Sequence, residues 1–163
     1  MKTHELHIPE VSGIRTLDLS SPAVSSPSNA SGVFPVVAVA SHETLVAVSV
    51  PCPDAPVSYR FELAEGAKLL LRILVRPGAS ADFEVLLNGD RSEADVRAVA
   101  VSENGLAASF SSKTVTSASK TRASSGVTAF CLPDGDMSVT TVAEIAEGVF
   151  GAQAEAIQSD VFF

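Results

Sequence analysis

A chain of 163 residues with 19 acidic and 11 basic side chains has a formal charge of −8, and its cations form no stripe. That excludes the counterion-releasing basic surface by which nucleic acid or an anionic membrane is held. Hydrophobic residues make up 46% and charged ones 18%, with no Trp and one Tyr, so one core can be built, mainly from Val, Ala and Leu, which suit narrow stacked strands.

Residues 1–19 read as an N-terminal arm or short strand with apolar points at Leu6, Ile8, Val11, Ile14, Leu17 and Leu19. The opening Met1-Lys-Thr-His-Glu-Leu-His7 lacks an apolar signal core, so a cytoplasmic location is expected. Residues 20–31, Ser-Ser-Pro-Ala-Val-Ser-Ser-Pro-Ser-Asn-Ala-Ser, form a Ser/Pro-rich loop, because Ser side chains compete for backbone partners and Pro lacks an N–H. The longest apolar run, Val33 to Ala40, contains Pro35 and is too short to span a membrane. The whole chain, 1–163, is expected to be one domain.

Short strands follow. Val57, Tyr59, Phe61 and Leu63 alternate with Ser58, Arg60 and Glu62, a period of two. Leu69, Leu71, Ile73 and Val75 share one face, and Lys68, Arg72 and Arg76 the other; Phe83, Val85 and Leu87 repeat the pattern. Ala94 to Val101 and Val115 to Ser119 are less regular, and Gly126 to Leu132 and Ser138 to Ile145 are again strand-like. Only Ala143 to Phe150 and Ala152 to Gln158 have helix-compatible composition, and both are short.

An internal period is present: Gly66-Ala67 recurs as Gly78-Ala79, and Tyr59, Leu71 and Phe83 repeat at the same interval. A β-solenoid spends about this length on a strand and its turn. An antiparallel β-sandwich also turns every ~8–12 residues. Asn88-Gly89, Asn104-Gly105 and Asp134-Gly135 are hairpin-type dipeptides that favour the sandwich. Spacing alone leaves both architectures open.

Candidate chemistry is sparse. No phosphate-cradling glycine loop and no Cys-x-x-Cys or His-x-x-x-His spacing occurs. His4 and His7, near Glu5 and Glu10, sit on a terminal arm and read as solvated. His42 has no second ligand nearby in sequence. Cys131 lies in a strand-like segment without a flanking cation and reads as a small buried hydrophobe; Cys52, between Pro51 and Pro53, reads as an exposed loop residue. The pairs Glu62/Glu65 and Asp134/Asp136 read as turn carboxylates, and Asn29-Ala-Ser31 matches a glycosylation acceptor without a secretory context. No nucleophilic Ser has a base in view, so no enzyme is expected, and no catalytic, cofactor or metal residue is assigned.

The last third has an ordered pattern. Ser112-Lys-Thr-Val-Thr-Ser-Ala-Ser-Lys-Thr-Arg122 precedes the strand-like Gly126-Val-Thr-Ala-Phe-Cys-Leu132, the turn Pro133-Asp-Gly-Asp136, a second strand, and Gly148 to Phe163. Thr121-Arg122, Asp134-Gly135, Val142 to Ile145, Gly151-Ala152, Gln158 and Val161-Phe162-Phe163 fall in order. This order and spacing, over residues 57–163 and most firmly 112–163, resembles the β-helical core of the SufB/SufD family of iron–sulfur cluster assembly scaffolds. The resemblance implies a right-handed parallel β-solenoid and a non-enzymatic scaffold or accessory role in cluster assembly. Two family features are missing. Thr116-Ser117-Ala118 stands where members carry a His in a Val-x-His context. The later coils with a Ser/Cys-His-Gly segment, which handle metal or sulfur and meet the ATPase, have no counterpart, so no residue here inherits those roles. The apolar Val161, Phe162 and Phe163 imply pairing through the C-terminal coil, as a homodimer or with a SufB-type scaffold and its ABC-type ATPase.

Overall fold

The computed structural model describes residues 13–21 and 34–163. They form eleven strands and no helix: β1 (Ile14–Asp18), β2 (Val36–Val39), β3 (Thr44–Ser49), β4 (Val57–Leu63), β5 (Lys68–Val75), β6 (Ser80–Leu87), β7 (Glu93–Ser102), β8 (Ala107–Thr116), β9 (Arg122–Cys131), β10 (Asp136–Ile145) and β11 (Gln153–Phe162). The odd-numbered strands make one sheet in the order β1-β3-β5-β7-β9-β11, and the even-numbered strands a second, β10-β8-β6-β4-β2. Every neighbouring pair is parallel. Successive strands therefore alternate between two facing sheets, and the chain winds as a β-solenoid, each coil giving one strand to each sheet. The antiparallel sandwich is excluded by the parallel ladders. The segment at the end of the arm is strand β1, and Leu19 after it is buried; the rest of the arm and all but Ser20 and Ser21 of the Ser/Pro-rich segment lie outside the described residues.

The interval between Tyr59, Leu71 and Phe83 is half a coil. Tyr59 lies beside Phe83 in the even-numbered sheet, and Leu71 belongs to the opposite one. Coil length is not constant. In the odd-numbered sheet the step from Ile14 to its neighbour Thr44 is long, and from β3 onward Thr44 lies beside Lys68, Lys68 beside Glu93, Glu93 beside Arg122 and Arg122 beside Gln153, so each of these later coils is longer than the one before it.

One corner column turns the chain in every coil. His42, Gly66, Arg91, Lys120 and Gly151 occupy the same step of successive coils, each with φ between 58° and 68°. Their amides form a ladder: His42 donates to Glu65 O, Gly66 to Asp90 O, Arg91 to Ser119 O and Lys120 to Phe150 O, all at 2.9–3.1 Å. A left-handed turn costs a β-carbon-bearing residue about 1–2 kcal/mol, a strain glycine avoids. Lys120→Gly should therefore raise stability by about 0.5–1 kcal/mol in urea unfolding, since the change relieves folded-state strain more than it loosens the unfolded chain.

The hairpin-type dipeptides also sit at corners. Asn104 (φ 52°) and Gly105 (φ 73°) carry the chain from β7 to β8, which belong to different sheets, and Gly105 donates to Asp134 O of the next coil at 2.7 Å. The two helix-compatible segments are strands. Ala143 to Ile145 ends β10, and Gln153 to Gln158 lies in β11. Ladder pairing with β8 and β9 overrides the helical preference of Ala and Glu.

The core runs between the sheets as stacked rows of inward side chains, and it changes along the stack. Tyr59, Phe83, Ser112 and Thr141 form one row; Leu45, Leu69, Ala94, Ala123 and Ala154 another. Large apolar groups fill the coils of β4 to β6, and the later coils, which keep Val96, Phe110 and Val127, hold more small or hydroxylated residues. Ser112 and Ser125 bond each other across the interior at 2.7 Å, and buried Thr116 donates to Glu144 O at 2.9 Å. The outer faces carry ion pairs from coil to coil, Arg60–Glu84 and Arg72–Asp95 at 2.7 Å among them. At the surface each contributes about 0–1 kcal/mol.

Asp82, half-buried on the outer face of β6, departs from this balance. Burial pushes its carboxyl up from the ordinary value; a hydrogen bond from Ser111 opposes this, and the charge of Glu84 adds to it. The folded state thus holds the proton more tightly than the unfolded chain. The stabilisation is complete in acid and is lost as pH rises through the folded value. Asp82→Asn should raise the melting temperature near neutral pH, and the gain should shrink in acid.

Candidate functional site

The residues singled out from sequence do not converge. His4, His7, Glu5, Glu10 and the Asn29–Ser31 acceptor lie outside the described residues. His42 is exposed on the left-handed corner, with its ring over Gly66. Glu62 points outward from β4, Glu65 sits at a corner, and Asp134 and Asp136 flank the turn into β10. Among the described residues no group of three or more His, Cys, Asp and Glu side chains comes together. Nor is any helix there long and apolar enough to cross a membrane.

Both cysteines are free. Cys52 is exposed in the turn between β3 and β4, with the Arg76 guanidinium 4.0 Å from its sulfur. Cys131 is only partly buried, at the end of β9. Its thiol accepts from Ser102 Oγ at 3.5 Å and donates to Gly135 O at 3.4 Å.

What distinguishes one part of the molecule is the last coil, β10 and β11. Among the described residues each of these strands has a ladder partner on one side only, as β1 and β2 also do at the other end of the stack, so it is the side chains at this edge that set the last coil apart. Gln153 and Phe163 donate their amides to Thr121 O and Cys131 O of the preceding coil. N–H groups alternate sides along a parallel strand, so odd-numbered residues of β11 face β9 and the amides of Ala156, Gln158 and Asp160 face the open edge. The exposed aromatic groups gather here too. Phe150, Phe162 and Phe163 are 78%, 76% and 73% exposed, whereas Phe61, Phe83 and Phe110 are wholly buried in earlier coils. Ile145 and Ile157 add further exposed apolar surface on the same coil.

Between β10 and β11 the interior opens as a cleft of about 80 Å³ lined by Ala129, Cys131, Met137, Val139, Gln158, Asp160 and Phe162. Gln158 lies beside buried Val127, and Asp160 beside buried Ala129, so both continue inward rows of the core. The Gln158 amide donates to both Asp160 oxygens at 3.0 and 3.1 Å, which holds the carboxylate at the mouth of the interior. Sequence reading picked out Val161, Phe162 and Phe163 but missed Asp160. The available signal was its phase: it alternates with Ser159 and Val161 where an inward residue is due.

A larger surface depression, of about 250 Å³, lies over the outer face near Thr44, Lys68, Glu93 and Arg122. Lys68 and Glu93 are paired across it at 3.4 Å.

No family model, curated protein or solved structure matches this chain.

Proposed function

We propose that the protein is a non-enzymatic β-solenoid scaffold that works by pairing its last coil with the strand edge of another chain. On the resemblance to the SufB/SufD family, we place this work in cytoplasmic iron–sulfur cluster assembly, with a SufB-type scaffold and its ABC-type ATPase as the assembly joined. The cluster is cargo of that assembly and is assigned no ligand in this chain.

The observation that carries the reading is the last coil: two strands with open edges, carrying Phe150, Phe162 and Phe163 in solvent. Unpaired N–H and C=O rows pair readily with other chains, and exposed apolar groups beside them make that pairing favourable. The parallel solenoid supports the comparison with the SufB/SufD core, which is also built of parallel stacked strands.

The test is anaerobic co-purification of the tagged protein from its own cells, beside a Gln158→Pro variant. Proline at 158 removes an amide that faces the open edge and leaves the ladder to β9 intact. A SufB-type scaffold should be recovered with the wild type and lost with the variant. Its recovery with neither protein, or equally with both, would overturn the reading.

A further inference from the structure

The docking reading leaves open what kind of edge the last coil accepts, and the inward face of β11 bears on this. We propose that the partner is a separate chain whose terminal coil presents an inward-facing Arg or Lys to Asp160, and that a second copy of this chain is disfavoured. The proposal rests on the docking reading and narrows it.

Asp160 stands where the core would continue. A coil laid over β10 and β11 would close the cleft and take the carboxylate out of water. The groups facing it are Ala129 and Cys131 of β9, Met137 and Val139 of β10, and Gln158 and Phe162 of β11. None is a cation. The Gln158 amide is its hydrogen-bond donor, shared between both oxygens. A buried carboxylate without a counter-charge is strongly destabilising, and one amide does not compensate for it. An apolar cover is therefore excluded by cost, and a cover with a cation facing inward is favoured.

A second copy meets the same objection doubled. Two-fold pairing sets the same surface against itself, so Asp160 of each chain would enter one interior. Two like charges sharing one interior of low dielectric repel each other. Inward-pointing charges on edge strands are a known guard against self-pairing. Here the guard also serves as a code, because a complementary charge removes it.

The experiment uses this chain as its own probe. Asp160→Lys and Asp160→Asn variants are prepared with distinguishable tags, and association near neutral pH is measured by sedimentation for wild type alone, each variant alone, and wild type mixed with Asp160→Lys. The mixed pair should bind roughly tenfold or more tightly than either member alone. Asp160→Asn should self-associate more tightly than wild type, an independent reading should the lysine variant fold poorly. Gln158→Pro placed in both members should abolish the mixed pair. Wild type that self-associates as tightly as Asp160→Asn and as the mixed pair would overturn the charge code while leaving the docking edge in place. Absence of association in every combination, or association that survives Gln158→Pro, would overturn the docking edge and the code with it.

Discussion

Gly89→Ala should abolish the stable fold or lower its unfolding free energy by more than about 3 kcal/mol, beyond the usual cost of an added methyl group. A β-carbon at this position would lie 2.0 Å from Glu65 N and 2.2 Å from Ala64 C, atoms of the preceding coil's backbone. A flexible side chain could swing aside, but these atoms cannot, because Gly89 N bonds Leu63 O at 3.0 Å and Gly66 N bonds Asp90 O at 2.9 Å on either side of the contact. The corner would have to open across two coils. By contrast, Gly105→Ala, where a β-carbon meets nothing within 4 Å, should carry only the strain of its left-handed φ of 73°. Urea unfolding of the two variants side by side checks the argument, and a similar loss in both would contradict it.

The second large effect is expected at Phe83. Its ring is fully buried and stacks on Phe61 with centroids 6.4 Å apart. In the next coil its ladder neighbour is Ser112, too small to fill the space left by the ring. Phe83→Ala should therefore cost about 3–5 kcal/mol, the range for an aromatic deleted from a core that cannot collapse, and Phe83→Leu clearly less. Thermal or urea melts give the values. A loss below about 1 kcal/mol for the alanine variant would mean that the early coils are not the centre of stability.

How far the sequence discloses this architecture follows from the same residues. Tyr59, Leu71 and Phe83 are legible because the two halves of the coil around them are equal in length, and the inward positions there are apolar and, Ala81 apart, large. The period fades after Phe83 for a physical reason. The coils lengthen towards β11, and the inward rows change to Ser, Thr and Ala, so neither spacing nor hydropathy marks the strand phase. Asn104-Gly105 misleads because a left-handed turn serves a hairpin and a solenoid corner alike. Ala143 to Ile145 and Gln153 to Gln158 mislead because their strand state is imposed by the neighbouring coil and not by local preference. The open edge of the last coil was legible only in the half-buried Val161 and the exposed Phe162 and Phe163. Gln158 and Asp160 needed the register, since one residue of slip would turn them from the inward rows to the outer face.

The shift of core composition along the stack has a consequence for how the molecule breathes. In a linear array each repeat is held by its neighbours alone, so opening starts at an end and travels inward. The first coils to loosen should be those with small, hydroxylated interiors, and amide exchange should be fastest in β10 and β11 and slowest around Phe61 and Phe83. The coil proposed as the docking edge is thus also the one expected to fray most. If the proposed docking holds, capture by a partner would quench that fraying, and the protein's resistance to proteolysis would rise with partner concentration, so that its lifetime would report whether it is assembled.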